Sequence, residues 1–202
     1  MGSTVLEGRT RWTRFAVVFA LSLLIAAALL FGLAHGAIGA SFAESGANFK
    51  TSASELRGTG FVQFGTIDRS ADGAHPAART GIVSASMDNF CQSALVPSLP
   101  LVGDVSVVIR AAGRDSVQAS NLVVNISNLT GKATFQNIDV GIDASQLSKG
   151  PTGLGGAPGS FAQQADQVVL DNLQQTARRV MASTLVLNGL DLSIIAGRSE
   201  CF

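Results

Sequence analysis

Two hydrophobic patterns divide the chain. Residues 15–42 contain no Asp, Glu, Lys or Arg, and the 19 residues 15–33 (FAVVFALSLLIAAALLFGL) are almost wholly apolar. A helix of that length rises about 28 Å at 1.5 Å per residue, which matches a hydrocarbon core of about 30 Å. Beyond residue 43 the pattern changes to short runs of alternating apolar and polar positions, punctuated by Gly and Asn. That period of two belongs to strands with one face buried.

Within the second region one pattern recurs: apolar, any, apolar, any, Asn, apolar. It starts at Ala85, Val117, Val124, Ala133 and Val168, and Leu185 begins the same pattern with Gly189 in the Asn slot. Five of the eight asparagines (Asn89, Asn121, Asn128, Asn137 and Asn172) occupy that fifth position. The first and third positions share a strand face, whereas the sixth falls on the opposite face unless the chain bends. Asn and Gly tolerate the left-handed conformation that such a bend needs. Each unit therefore reads as a short strand and a corner that returns the last apolar residue to the core. The units starting at 117, 124 and 133 follow one another almost without connection, as coils of a β-solenoid would. Bulged strands of an antiparallel sandwich are the second choice. The expected fold is mainly β, with an N-terminal transmembrane helix preceding one β-rich domain.

Two segments depart from the pattern. Residues 150–160 are rich in Gly and Pro and read as a loop. Residues 161–181 place apolar side chains at 161, 165, 168, 169, 173, 177 and 180, which fits a helical face as well as another strand.

Charge then sets the topology. Arg9, Arg11 and Arg14 precede the apolar run, with Trp12 among them, and the next basic residue is Lys50. By the positive-inside rule residues 1–14 are a cytoplasmic basic N-terminus and residues 44–202 lie outside, so the domain is extracytoplasmic. The segment 15–37 is either an uncleaved anchor or a cleaved secretory signal, in which case the product is secreted. In an oxidising compartment Cys91 and Cys201 have one intramolecular pairing, a disulfide; the alternative is two free buried thiols.

The whole chain has 202 residues, with 47% hydrophobic and 14% charged residues, and 14 basic side chains against 14 acidic ones. Zero net charge without a basic cluster beyond the N-terminus excludes a nucleic-acid partner. The membrane is the expected partner, with a lipid or protein of the envelope as a second. No cofactor fingerprint, phosphate loop or redox pair occurs, and no cofactor is expected.

Candidate chemistry is sparse. Of the two histidines, His35 lies in the apolar segment, leaving His75 as the one base for hydrolysis, with no Gly-x-Ser-x-Gly nucleophile elbow. Asp68, Ser70 and Asp72, followed by Gly73, reproduce the first half of a calcium loop, but Arg79 stands where the bidentate Glu belongs. They are weak metal candidates, and a polar turn is the simpler reading.

Residues 9–16 (RTRWTRFA), 58–65 (GTGFVQFG), 88–92 (DNFCQ), 161–166 (FAQQAD) and the terminal Glu200-Cys-Phe202 resemble an uncharacterised family of exported actinobacterial proteins common in Streptomyces. The resemblance covers nearly the whole chain. It implies export, and members often carry the label cholesterol esterase, without assigned catalytic residues to transfer. The expectation is a non-enzymatic, membrane-anchored envelope or surface protein that binds an apolar ligand or a partner protein. A lipid or cholesterol ester hydrolase is the alternative.

Overall fold

In a computed structural model of the chain, the described residues are 48–70, 73–99 and 103–202, together with Trp12, Phe15 and Phe19. The chain divides into two units, Met1–Glu44 and Ser45–Phe202. In the first, Trp12, Phe15 and Phe19 are helical and exposed. Their three- and four-residue spacing sets the rings along one helix face, Trp12 edge-on to Phe15 with centroids 6.1 Å apart and Phe15 stacked on Phe19 at 5.8 Å. Among the described residues no helix is long and apolar enough to cross a membrane. The expected span at 15–37 and its flanking Arg9, Arg11 and Arg14 otherwise lie outside the described residues.

The second unit is built from strands. They are β1 (Phe49–Ser70), β2 (Gly73–Asp88), β3 (Phe90–Leu99), β4 (Gly103–Ala111), β5 (Val117–Gln136), β6 (Asp139–Asp143), β7 (Phe161–Met181), β8 (Thr184–Leu187) and β9 (Leu190–Ala196). All pairings are antiparallel, and β1–β2–β5–β7 closes on itself because β7 also pairs with β1. The fold is thus one antiparallel sheet in which β1, β2, β5 and β7 close into a barrel, and it corrects the solenoid expectation. The units at 117, 124 and 133 are successive stretches of one long strand, β5, rather than coils stacked on each other. Local apolar spacing does not distinguish the two arrangements, since a solenoid rung and a kinked barrel strand return side chains to the core by the same corner. The segment 161–181 is strand throughout, which removes the helical option.

The register explains how four strands enclose an interior. A circuit of paired residues runs from Ser120 on β5 to Ser84, Thr59 and Gln167, and returns to β5 at Gln136, sixteen residues from its start. With about 3.3 Å per residue along a strand and about 4.8 Å between strands, that stagger tilts the strands roughly 70° from the barrel axis. Ordinary barrels tilt about 35–45°. Steep winding widens the bore that four upright strands would leave shut.

Such winding needs sharp bends, and the recurring Asn supplies them. Asn89, Asn121, Asn137 and Asn172 have φ of 50, 47, 51 and 51°, and Gly189 has φ 67°. At each of the first, second and fourth the buried parity switches: Ala85 and Met87 give way to Phe90, Val117 and Ala119 to Leu122, and Val168 and Leu170 to Leu173. Asn128, in the same sequence slot, is not left-handed; the register of β5 against β7 shifts between Ile126 and Asn128 and again at Gly131, which has φ 150°. The bends align across strands. Asn89 donates from Nδ2 to Ser54 Oγ at 3.1 Å, and accepts at Oδ1 from Gly113 N at 2.9 Å. Asn137 donates to Asp166 Oδ2 at 2.7 Å.

The expected loop at 150–160 is present and covers the outer face of the barrel. Gly150 lies against Val62, Gly156 against Phe64, and Phe64 forms a small second core with Ala144 and Ala162. Asp143 caps the 3-10 turn Ala144–Gln146, accepting from Ser145 N at 2.8 Å and Gly159 N at 2.7 Å. Those backbone donors hold its carboxyl below the usual range. Cys91 and Cys201 form a disulfide, which fastens the C-terminal tail across β3 and β4. Ser106 Oγ accepts from Ser199 N at 2.8 Å, Ser93 Oγ accepts from Cys201 N at 3.0 Å, and both serines are buried.

Candidate ligand cavity

The inward-facing positions of β1, β2, β5 and β7 carry Leu56, Phe61, Ile82, Met87, Leu122, Val124, Ile126 and Leu170. They surround a cavity of about 110 Å³. Bulky side chains do not fill the bore because the steep tilt has made it wider than one row of them requires. For scale, an engineered apolar cavity of about 150 Å³ admits benzene. The space suits a small ring or a few carbons of a chain. A fused four-ring sterol nucleus requires the surrounding side chains to move.

The wall contains no charged residue. Its polar members are Thr51, Gln63, Thr80, Gln92 and Gln175. Gln63 is satisfied within the protein: it donates to Thr80 Oγ1 at 2.8 Å and accepts from Gln163 Nε2 at 2.7 Å. The other three form one row across neighbouring strands, Gln175 paired with Thr51 and Thr51 with Gln92. Thr51 and Gln175 are buried. Two amides and a hydroxyl therefore border the apolar bore, a donor and acceptor set for a neutral polar group such as an ester. Of the lining residues Leu129, Val180 and Leu185 are also exposed at the surface.

The site residues suggested by the sequence lie elsewhere. His75 sits on β2 opposite Asp68 of β1 and is not part of the cavity wall. Asp68 and Ser70 belong to the extended strand β1, and Asp72 lies outside the described residues. Asp68 is buried, accepts from Asn125 Nδ2 at 2.6 Å and lies 3.7 Å from Arg179. Arg79 donates to the same Asn125 at 2.9 Å. The carboxylate thus serves a structural network. Among the described residues no group of three or more metal-ligating side chains occurs.

Charged side chains frame the corners instead. Arg57 donates to Asp88 at 2.7 and 3.1 Å, to Asp115 at 2.8 Å, and to Glu55. This guanidinium lowers the pKa of Asp88 and of Asp115, and its own pKa rises, chiefly through Asp88. Lys149 lies 3.1 Å from Asp166 and 3.2 Å from Asp139 and donates to Asn137 O at 2.6 Å, tying the outer loop to the Asn137 bend.

Sequence reasoning missed the cavity, although one signal for it exists. Thr51, Gln63 and Gln175 stand at inward-facing positions where the alternation calls for apolar residues.

The unit defines a class by its architecture: a disulfide-closed, steeply wound antiparallel barrel with an apolar, uncharged interior. The chain belongs to a family of unknown function (DUF6230), whose model matches residues 45–202 and so covers the barrel. No curated protein and no solved structure matches it.

Proposed function

We propose that this chain is an exported, membrane-anchored protein of the cell envelope that binds an apolar ligand with a neutral polar end inside its barrel. The observation that carries the reading is the uncharged, apolar cavity with Gln175, Thr51 and Gln92 along one edge. An interior without ionisable groups favours holding a hydrocarbon chain over chemical work on it. The Cys91–Cys201 disulfide supports an oxidising location, and three arginines before the apolar run support an anchor with the barrel outside.

The alternative, hydrolysis of acyl or steryl esters, needs His75 as general base, yet the cavity that would receive the acyl chain is lined by other residues. Two measurements separate the readings. A fluorescent short-chain acyl probe added to the full chain should bind in the barrel, and Val124→Phe, at a buried position of the cavity wall, should weaken it about tenfold by occupying the space. Unchanged probe affinity in that variant would refute an interior site. Turnover of acyl or steryl esters that disappears in His75→Ala would replace binding with hydrolysis.

A further inference from the structure

Strand β9 carries Leu190, Leu192 and Ile194 on one face, with 54, 56 and 71% of their surface exposed. Among the described residues β9 pairs on one side alone, with β4. An apolar edge of this kind invites aggregation unless something covers it. Two features identify the cover. The first is continuity with the cavity: one row of paired residues runs Gln175, Thr51, Gln92, Ile109, Leu192, and its first three members line the cavity. Leu192 therefore stands on the inward-facing side of the sheet, where the barrel wall runs on without closing. Leu185, which lines the cavity and is 47% exposed, lies one strand earlier on the same chain. The second is the way the chain joins the unit. The next row runs Phe49, Ala94, Val107, Ile194, so the strand that follows the apolar N-terminal segment begins in the same row as the end of the exposed strip. Both rows are free of charge. Asp191 and Arg110, paired between β9 and β4, belong to the other face.

We propose that this open lip docks on the outer leaflet of a phospholipid bilayer, with Leu190, Leu192 and Ile194 in the acyl region, and that a lipid chain enters the barrel between β9 and Leu185. The proposal rests on the function inferred above and names its ligand source, the bilayer itself. Three exposed aliphatic side chains on one edge strand supply apolar contact, and their face of β9 carries no charged residue. A second copy pairing edge to edge through β9 is the competing occupant.

The test uses the full chain, carrying Trp12→Phe, in phosphatidylcholine bilayers with or without bromine on the acyl chains. A tryptophan placed by Leu192→Trp should lose at least half of its emission in the brominated bilayer. One placed by Phe161→Trp, sixteen residues along β7 from the Phe49 row, should keep its emission. A second measurement follows the kinetics: Leu192→Ser with Ile194→Ser should slow transfer of the acyl probe from bilayer to barrel about tenfold while leaving its equilibrium affinity unchanged. Docking is overturned if the Leu192→Trp signal is unquenched, or if it is shielded by a concentration-dependent dimer, while the probe still binds; the binding reading then survives. Loss of probe binding in the unmodified chain removes both.

Discussion

The left-handed asparagines offer the sharpest check on how this sequence makes this barrel, and Asn172 is the cleanest of them. Its side chain is exposed and its φ is 51°, so a substitution there tests the backbone rather than a packed contact. The left-handed region costs an ordinary L residue roughly 1–2 kcal/mol, and Asn and Gly less. Asn172→Ala should therefore destabilise by about 1 kcal/mol, while Asn172→Gly should stay within about 0.5 kcal/mol of the parent. Asn128→Ala supplies the control. Asn128 fills the same slot of the sequence pattern and is exposed, but its φ is not positive, so its replacement should change stability by less than about 0.5 kcal/mol. Urea unfolding with the disulfide intact reads the differences, since 1 kcal/mol moves the midpoint by about 0.5 M at a typical slope of about 2 kcal/mol per M. Equal losses in Asn172→Ala and Asn128→Ala would refute the argument, as would a glycine variant less stable than the alanine one. Either result would mean that the asparagine side chains, not the bends, are what the pattern selects.

Other consequences are open to the same kind of measurement. Removing the bridge with Cys91→Ser and Cys201→Ser frees a loop spanning 110 positions and should cost about 5 kcal/mol on the chain-entropy model, read as a large drop in urea midpoint. Gly60→Ala should cost more than the roughly 1–2 kcal/mol of its φ of 68° alone, because a Cβ there meets Val83 at 2.5 Å and the Lys149 carbonyl at 2.6 Å. Acid should also destabilise the fold. Asp88, Asp115, Asp139, Asp143 and Asp166 are all held below the ordinary carboxyl value of 3.8. Their contribution is complete above that value and is lost as pH falls through the lower folded values, so stability should be flat above about pH 5 and decline below about pH 4. Arg57→Gln, which removes the main cause of the shifts at Asp88 and Asp115, should make that decline shallower; an unchanged slope would show that the guanidinium does not set them.

Much of this architecture is legible in the sequence wherever a rule is local. Parity alone places Ala85, Met87 and Phe90 on one face only if Asn89 bends the strand, and the same holds for Asn121 and Asn172. The Gly and Pro loop follows from short-range composition, and the bridge pairs the two cysteines of the sequence, Cys91 and Cys201. What closes the barrel is not local. Gln63 meets Gln163 across 100 positions and Arg57 meets Asp115 across 58, and nothing in either neighbourhood specifies the other. A solenoid and a barrel use the same bend, so the choice between them rests on pairings that single-sequence periodicity does not encode. The calcium reading rests on spacing of the same local kind. Asp68 and Ser70 have ligand spacing along the chain, but Asn125 and Arg179, distant in sequence, engage the carboxylate of Asp68.

The cavity and the open lip have one cause, the sixteen-residue stagger. A wall that returns to β5 so far along its own length winds steeply enough to hold a bore inside four strands. The same displacement settles what each strand meets at the end where β1 begins. There β1 has β3 on one side and β7 on the other, with Phe49 paired to both Ala94 and Ala177. Strand β9, three strands along from β1, finds that position already taken and ends the wall with an apolar edge. The geometry therefore ties capacity to access. A substitution that relieves the winding, as at the Asn121 bend, should reduce acyl-probe binding without touching a cavity side chain. If probe binding in Asn121→Ala is unaffected while stability falls by the roughly 1–2 kcal/mol expected of a lost bend, the bore does not depend on the winding and the link is broken.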